Sequence, residues 1–411
     1  MASADDPRIT RGRFLTGAAA GAGGLIVGAG LGYAGAQALD DDDTDEEDGG
    51  QAALPSGKDE ANFIVHSSDP FNIETKREVL GASALTSAAT LFIRQNHVLP
   101  DESILDDPDA WTVSVEGTSE PRELTVRELK NIGVGEVATV VQCSGNGRGY
   151  FEHDPSGSPW EVGAAGNVVW TGVPVSAIAE ELGGPASGAK FLTGTGGEEL
   201  PPDVPEREAV VERSVPIEKG LEDCILAWAM NGEPVPLAHG GPLRLIVPGY
   251  FAINSVKFLK KLAFTEQESD ADIMVGSYRI RPIGEDSDPS QPTCWEHNVK
   301  SFVTSPGNES AVDAGPVRVV GVAYSGGAVE RVEVSTDGGQ TWQQADFYGT
   351  DLGPYAWRRF TYAFDAEPGT YTIASRATDA AGNTQPEERA ENEAGYQHNG
   401  WRDPAVTVTV S

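Results

Sequence analysis

The C-terminal part of the chain alternates apolar and polar residues in short runs rich in valine, threonine and aromatic residues. Because successive side chains of a strand point to opposite faces, this alternation predicts strands with one buried face. Asp337-Gly338 lies between two of the runs and predicts a hairpin turn. Such strands at short, regular spacing predict an all-β immunoglobulin-like sandwich over residues 291–411. The predicted strands are Val317–Ala323, Val329–Ser335, Trp342–Phe347, Trp357–Phe364, Tyr371–Thr378 and Ala405–Val410.

Residues 61–290 have a mixed pattern, in which short β-rich runs alternate with segments of helical periodicity. This mixture predicts an α+β domain in front of the sandwich. The predicted strands are Trp111–Glu116, Val137–Gln142, Leu243–Val247 and, as an edge strand ending in proline, Val210–Pro216; the predicted helices are Thr125–Asn131 and Val175–Leu182.

Residues 1–39 have the layout of an export signal. Arg11-Gly12-Arg13-Phe14-Leu15 precedes a stretch rich in glycine and alanine without charge up to Asp40, and Ala36-Gln37-Ala38 offers a small-residue cleavage site. The layout resembles a twin-arginine signal and predicts an exported protein, at the outer face of the cytoplasmic membrane or outside the cell. The stretch approaches the roughly 20 residues that span a membrane, so it is either cleaved or kept as an anchor; its glycine content disfavours a buried helix. Residues 40–60 begin with an acidic run and are predicted to be a linker.

The chain is strongly acidic, with 63 Asp and Glu against 29 Lys and Arg and a formal net charge of −34. Such a field repels phosphate backbones and anionic membrane surfaces, which excludes general nucleic-acid binding. The acid excess extends along the whole chain and resembles the composition of proteins adapted to high salt.

Three cysteines, Cys143, Cys224 and Cys294, are too few for a disulfide framework, and at least one thiol stays unpaired within the chain. Whether Cys224 and Cys294 pair is open at this point. Cys143 follows an apolar strand and begins a Gly-rich turn, which places a side chain at the end of a strand. Arg148, five residues on, would favour the thiolate, the form that binds metals.

The surroundings of Cys143 in the sequence limit what a thiolate does there. A nucleophile needs a general base, and none of the six histidines lies in a familiar nucleophile-partner context. No Cys-x-x-Cys or His-Glu-x-x-His spacing indicates a conventional zinc site. Apart from a buried, inert thiol, the remaining interpretation is a single soft ligand to a metal held mostly by something other than protein.

The motif around this cysteine, Gln142-Cys143-Ser144-Gly145-Asn146-Gly147-Arg148, is similar to the Gln-Cys-Ala-Gly-Asn-Arg-Arg motif of the sulfite oxidase family. Further segments follow in the family's order, so that the resemblance covers residues 62–411. These segments are Phe92-Ile93-Arg94-Gln95-Asn96-His97-Val98-Leu99-Pro100, Ser158-Pro159-Trp160, Trp170-Thr171-Gly172-Val173-Pro174, Met230-Asn231-Gly232-Glu233-Pro234-Val235-Pro236, His239-Gly240-Gly241-Pro242-Leu243-Arg244, Ser255-Val256-Lys257-Phe258 and Asp337-Gly338-Gly339-Gln340-Thr341-Trp342. With the acidic composition, the resemblance is to an exported, haem-free member of haloarchaeal type.

The resemblance implies a sulfite oxidase fold for the α+β domain and a molybdenum cofactor held through molybdopterin, with Cys143 as the protein ligand to the metal. The residues implied in cofactor binding are Asn96, His97, His239, Arg244, Ser255 and Lys257; those implied in catalysis and the substrate pocket are Arg94, Arg148, Trp160 and Tyr278. A fork, a point charge and an imidazole at Arg244, Lys257 and His239 suit the phosphate of such a cofactor.

Three departures from the family's pattern affect the substrate assignment more than the cofactor assignment. Asn96 stands where many members have histidine, Gly147 replaces the first of two paired arginines, and Ser277 replaces an acidic residue of some members. A further pocket arginine, which vertebrate members draw from later in the chain, has no assigned match.

The implied reaction is oxygen-atom transfer that oxidises sulfite to sulfate. No Cys-x-x-Cys-His haem attachment motif occurs, so the electrons are expected to leave to an external acceptor such as a cytochrome or a blue-copper protein. The C-terminal domain is expected to form a homodimer. Reduction of a sulfoxide, N-oxide or nitrate by the same centre is the alternative within enzymes, and a cofactor-free cell-surface structural or binding protein is the alternative of another class.

Overall fold

The computed structural model describes residues 54–411. The predicted export signal and the acidic run of the linker lie outside the described residues. No helix within residues 54–411 is long and apolar enough to cross a membrane.

The α+β domain was predicted correctly. It contains short strands and five short helices, and the predicted edge strand ends its sheet. Within the described residues, its strands are β1 (Phe63–Ser68), β2 (Phe71–Thr75), β3 (Ile93–Arg94), β4 (Thr112–Glu116), β5 (Arg122–Thr125), β6 (Gly135–Gln142), β7 (Ala165–Pro174), β8 (Phe191–Gly196), β9 (Glu212–Pro216), β10 (Ile225–Met230), β11 (Glu233–Pro234), β12 (Arg244–Ile246) and β13 (Leu259–Thr265). Its helices are α1 (Val126–Ile132), α2 (Val175–Glu181), α3 (Glu206–Ala209), α4 (Ile217–Glu222) and α5 (Asp272–Val275).

Three sheets organise this domain: β1-β2-β3, β11-β10-β7-β6 with β12 paired to β10, and β5-β4-β13-β8-β9. β6 pairs with β7 from Gly135↔Gly172 to Gln142↔Ala165, so that pairing stops immediately before Cys143. β10 pairs with β7 along one edge and with β12 along the opposite edge, where Arg244 lies opposite Ala227. The second sheet therefore carries both the thiol and a cation that the sequence singled out.

The predicted C-terminal sandwich is also correct: a four-stranded sheet β14-β16-β20-β19 and a five-stranded sheet β15-β22-β21-β17-β18 share one core. In the last strand Val406, Val408 and Val410 are buried and the threonines between them are exposed, as the alternation predicts. Its strands are β14 (Lys300–Ser305), β15 (Ser310–Val312), β16 (Gly315–Tyr324), β17 (Val329–Ser335), β18 (Gln343–Gln344), β19 (Asp346–Tyr348), β20 (Arg358–Ala366), β21 (Gly369–Asp379) and β22 (Val406–Val410).

Two local predictions in the sandwich need correction. The single strand predicted over 342–347 is two strands, because β18 pairs with β17 and β19 pairs with β20 of the other sheet. The turn at Asp337 is part of a longer loop, since the first cross-strand pairs of β17 and β18 are Val334↔Gln343 and Glu333↔Gln344. The Asp337 carboxylate organises this loop by accepting hydrogen bonds from the Thr341 N–H (2.9 Å) and hydroxyl (2.6 Å).

The two domains share an apolar cluster to which both contribute, including Val140 and Ala165 from one and Phe302 and Tyr324 from the other. All three cysteines are free thiols, so the possible pairing of Cys224 and Cys294 does not occur, and both are buried.

Candidate active site

A pocket with about 660 Å³ of empty space, part of it open to solvent, lies where the loop after β6 meets the segments around β3 and β12. Most of the side chains that the sequence singled out line it. They are Arg94, Asn96, Cys143, His239, Arg244, Ser255, Lys257 and Tyr278.

Cys143 occupies the position that strand pairing gives it. Its N–H donates to Ala164 O at 3.0 Å as the last contact of the ladder, and the Asn146 N–H donates to Cys143 O at 3.0 Å to close a tight turn. The thiol is half-buried and belongs to the pocket lining. A strand end followed by a turn thus presents one soft ligand to the cavity.

The loop after Cys143 is braced by the C-terminal domain. Lys300 Nζ donates to Asn146 O at 2.8 Å, and the Gln397 N–H donates to Ser144 O at 2.9 Å. Gly147 has φ of 103° and lies so close to His398 that a Cβ atom there would be 2.6 Å from the ring. The position of the thiol therefore depends on residues far along the chain.

Arg244 forms part of the cationic wall. Its Nε donates to Ser255 O at 3.0 Å, its Nη1 donates to His239 O at 2.9 Å, and its guanidinium lies over the Trp170 ring at 5.3 Å. Burial lowers its pKa to about 10. The hydrogen bonds to main-chain carbonyls fix the guanidinium in place but do not neutralise its charge.

Lys257 and His239 complete this wall. Lys257 Nζ donates to Ala238 O at 2.8 Å and to Arg94 O at 3.1 Å. Burial, reinforced by Arg244, places the pKa of Lys257 well below its usual value. Burial and the nearby lysines, Lys58 first, likewise hold the pKa of His239 well below its usual value. Crowded cations of this kind disfavour each other's charge until an anion joins them.

Glu198 is the one carboxylate that lines the pocket within the described residues. Burial raises its pKa to about 7, and the nearby Lys257 and Arg94 oppose that shift. Its Oε2 atom is buried and has no hydrogen-bond partner among the described residues. A single, easily protonated carboxylate leaves the wall with an excess of positive charge.

Tyr278 lies on another side of the pocket, buried and stacked on Tyr396 with 5.2 Å between ring centroids. Its φ of 55° is in the left-handed region, where a bulky residue is strained. The C-terminal domain supplies Tyr396, so this wall of the pocket also depends on both domains.

Three predicted site residues are not among those that line the pocket. The Arg148 guanidinium is held by Ala394 O (3.0 Å to Nε) and Ser158 O (3.2 Å to Nη1), and it packs behind Gly145. Trp160 is buried in the apolar cluster beneath the pocket, with its ring 6.4 Å from that of Phe92. His97 Nε2 lies 2.7 Å from Ala209 O.

Sequence reasoning missed two residues that line the pocket, Gln95 and Glu198, and one that contacts its lining, Lys58. Glu198 follows Gly196-Gly197 beyond β8, and nothing in that sequence indicates that the carboxylate turns towards Arg94 and Lys257. Gln95 escaped notice beside Arg94, although its Nε2 donates to Ala238 O at 2.9 Å. Lys58 belongs to the predicted linker, yet its Nζ lies 3.4 Å from His239 Nε2.

The donor set fits a molybdopterin. Arg94, Arg244 and Lys257 give an anion positive partners, and Glu198 is the single carboxylate among the described residues that line the pocket. Cys143 offers one thiolate on the same cavity, as suits a metal whose other ligands come from an organic cofactor. Within residues 54–411, no group of three or more His, Cys, Asp and Glu side chains forms a separate metal site.

Comparison with known proteins agrees with this chemistry. A family model described as oxidoreductase molybdopterin binding domain matches residues 99–273, and one described as Mo-co oxidoreductase dimerisation domain matches residues 291–409. Sulfite oxidase of Arabidopsis thaliana is 30% identical over 365 residues, which cover 82% of this chain and 92% of that protein. The chain belongs to the sulfite oxidase family. It is therefore a molybdoenzyme whose first domain binds molybdopterin and whose second is of the dimerisation type.

Two further comparisons, one with a curated relative and one with a solved structure, give the extent of the match. Mitochondrial sulfite oxidase of Rattus norvegicus is 30% identical over 364 residues, and this chain spans 65% of its length. The crystal structure of the sulfane dehydrogenase SoxCD from Paracoccus pantotrophus superposes with a TM-score of 0.71 at 26% identity, covering 85% of this chain and 88% of that one. Membership of the family excludes the cofactor-free structural protein considered from the sequence.

Proposed function

We propose that this enzyme oxidises sulfite to sulfate and passes the electrons to an external acceptor. The balanced half-reaction is SO₃²⁻ + H₂O → SO₄²⁻ + 2 H⁺ + 2 e⁻, and two equivalents of a one-electron acceptor complete it. The observation that carries the proposal is the cationic pocket, in a chain of net charge −34, that contains the thiol of Cys143. Such a local inversion of charge attracts a small anion.

Each pocket residue has a role in this proposal. Cys143 ligates the metal; His239, Arg244 and Lys257 hold the cofactor's phosphate end, which leaves Arg94 to attract and orient the anionic substrate. The bound molybdenum cofactor supplies the two-electron redox chemistry. Tyr278, fixed by stacking on Tyr396, offers a phenol at the pocket wall for orienting the substrate.

Arg148 has a different role in this proposal from the one expected from the sequence. Because its guanidinium donates to Ala394 O and Ser158 O, it ties the loop after Cys143 to the C-terminal domain. We assign it to supporting the metal ligand. Its positive charge still adds to the local field near the pocket.

The electron acceptor in this proposal is a separate protein with a basic docking surface, such as a cytochrome or a blue-copper protein. The strongly acidic chain favours a partner of opposite charge. Export by the predicted signal, with cleavage or retention of an anchor, and dimerisation through residues 291–409 complete the proposal. Fractionation of cells and sedimentation of the purified protein test these two points.

The direct test is a steady-state assay of the molybdenum-loaded protein at high salt, with sulfite and an artificial one-electron acceptor. Acceptor reduction that depends on sulfite and is lost in Cys143→Ser supports the proposal. Full molybdenum occupancy without sulfite oxidation contradicts it. The same preparation then distinguishes oxidation of a sulfane-sulfur substrate from reduction of a sulfoxide, N-oxide or nitrate by a reduced dye.

A further inference from the structure

Lys58 lies in a segment that the sequence assigned to the linker, but it packs against the cofactor pocket. Its Nζ donates to Ala88 O at 2.6 Å and to Leu91 O, and it lies 5.0 Å from the centre of the Phe63 ring. Leu54 of the same segment packs into the apolar cluster that contains Phe63. The end of the predicted linker is therefore part of the folded domain.

The contacts of Lys58 resemble those of Lys257 on the pocket wall. Both ammonium groups donate to main-chain carbonyls of the segment that leads into and through β3: Lys58 to Leu91 O and Lys257 to Arg94 O. Each also reaches the turn at 238–239, where Lys257 donates to Ala238 O and Lys58 approaches His239 Nε2 at 3.4 Å. Two lysines thus join the segment that carries Arg94 to the turn that carries His239.

Within residues 54–411, Lys58 forms no salt bridge with a carboxylate. Burial of its ammonium group lowers the pKa of Lys58 to about 7. A buried ammonium without a carboxylate is unfavourable unless another anion compensates for it. His239 lines the pocket, and its Nε2 lies 3.4 Å from Lys58 Nζ.

His239 Nε2 has two neighbours at the same distance, the Lys58 ammonium and Ala88 O, both at 3.4 Å. Ala88 O accepts from Lys58 Nζ at 2.6 Å and lies 3.4 Å from His239 Nε2. A charged Lys58 is only a donor, so Nε2 accepts from it and the proton of the neutral imidazole is on Nδ1; a neutral Lys58 would instead leave Nε2–H to donate to Ala88 O, since a carbonyl oxygen accepts two hydrogen bonds.

We infer that Lys58 is a positioning residue of the molybdopterin site: it holds His239 with Nδ1–H available as a donor to the bound phosphate, and it adds positive charge behind that ring. The segment in front of the matched domain is then part of cofactor binding. The inference concerns cofactor retention and does not depend on which substrate the enzyme oxidises.

The test measures how fast purified holoprotein loses molybdenum and pterin during dialysis, by metal analysis and pterin fluorescence. Lys58→Met should release both about tenfold faster than the unaltered protein, as is typical when an outer partner of a ligand is removed. Lys58→Arg, which keeps the charge and the donors, should restore most of the retention. Lys76→Met is the matched control, because Lys76 Nζ also donates to a main-chain carbonyl, Ala61 O at 2.8 Å, but Ala61 does not line the pocket, whereas Leu91, which accepts from Lys58, does.

Equal release from Lys58→Met and the unaltered protein would overturn the inference. If Lys58→Met does not fold, Lys58→Gln decides, because it keeps a donor for the carbonyls without the charge; retention equal to that of Lys58→Arg would refute the role of the charge. Nitrogen NMR of the holoprotein, with His239 assigned by His239→Gln, gives an independent result. A proton on Nδ1 supports the inference, and a proton on Nε2 contradicts it.

Discussion

The two ends of the pocket are built differently. The wall of Arg244, Lys257 and His239 is held by carbonyls of its own domain, such as Ser255 O and Ala238 O. The loop after Cys143 is held by Lys300 and Gln397 of the other domain. Retention of the cofactor should therefore be a property of the first domain, whereas the exact position of the metal ligand should depend on both domains.

The largest effect should follow from removing the thiol. Cys143→Ser should lower sulfite turnover by more than about 10³-fold, while most of the pterin stays bound because the cationic wall is intact. Turnover per bound molybdenum, with pterin measured separately, tests this. Cys224→Ser, at a buried thiol outside the pocket, should keep its activity per folded molecule. Full activity of Cys143→Ser would refute its assignment as the ligand.

A substitution in the cationic wall should reduce retention of the cofactor, which Cys143→Ser leaves largely intact. Lys257→Met should weaken cofactor retention by about 100-fold, because it removes a buried cation that faces the bound anion. The cofactor-free variant should melt no lower than the cofactor-free parent, since burial disfavours the ammonium there. Lys260→Met is the control, because its ammonium lies over the Trp111 ring outside the pocket. Unchanged molybdenum content in Lys257→Met would contradict the assignment of cofactor retention to the cationic wall of the first domain.

The contact between Gly147 and His398 should be sensitive to a single methyl group. Gly147→Ala should lower the free energy of unfolding by about 1–2 kcal/mol for its positive φ and by a further 1–3 kcal/mol for the clash with the ring. Gly382→Ala, with φ of 86° and nothing within 4 Å, isolates the first contribution. Equal losses in denaturant titrations of the two variants would show that the domain contact adds nothing.

Substitutions of the two arginines near the site, Arg94 and Arg148, should have different effects on the kinetic constants. Arg94→Gln should raise the KM for sulfite by about tenfold and leave kinetics with a neutral sulfoxide unchanged, because Arg94 lines the pocket. Arg148→Gln should mainly lower stability and kcat, because its guanidinium braces the loop through Ala394 O and Ser158 O. A selective increase in the KM for sulfite in Arg148→Gln would return that residue to the substrate pocket.

The pH dependence of stability gives a further test of the brace at Lys300. Burial lowers the pKa of Lys300 to about 7, against 10.5 for an ordinary lysine. Between these values the unfolded chain binds a proton that the folded chain lacks, so this residue makes stability rise with pH, by up to about 1.4 kcal/mol per unit. Lys300→Met should remove that rise, and Lys76→Met should keep it. Denaturant titrations at pH 7, 8.5 and 10 with parallel slopes for all three proteins would refute the prediction.

Local patterns predicted the fold because they report burial directly. The alternation Val406, Val408, Val410 identifies a half-buried strand without further information. The prediction of a single strand over 342–347 was wrong for a physical reason. The two halves of this run pair with different sheets, and only tertiary contacts show where the chain crosses from one sheet to the other. The start of α1 was predicted from periodicity to within one residue, and in the structure Thr125 and Glu128 form a capping box there.

The site was predicted where residues act through their sequence neighbours and missed where they act through space. Cys143 is at a strand end, and that follows from the strand itself. Glu198 lines the pocket and Lys58 contacts its lining at His239, both from segments without periodicity, so no local signal indicated them. The buried Arg148 was assigned to the substrate pocket by resemblance to the family motif, whereas the carbonyls that hold it come from residues 158 and 394.

The bracing of the loop after Cys143 by Lys300 and Gln397 has an evolutionary consequence. A crossover between the two domains, in the irregular segment between residues 276 and 299, would join a metal-ligand loop to braces shaped for another partner. The product of such a recombination would keep the cofactor but misplace the thiol of the cysteine that corresponds to Cys143. The two halves of the gene should therefore be inherited together, and hybrids between relatives should recover activity only when Lys300 and residues 389–398 come from the same parent as Cys143.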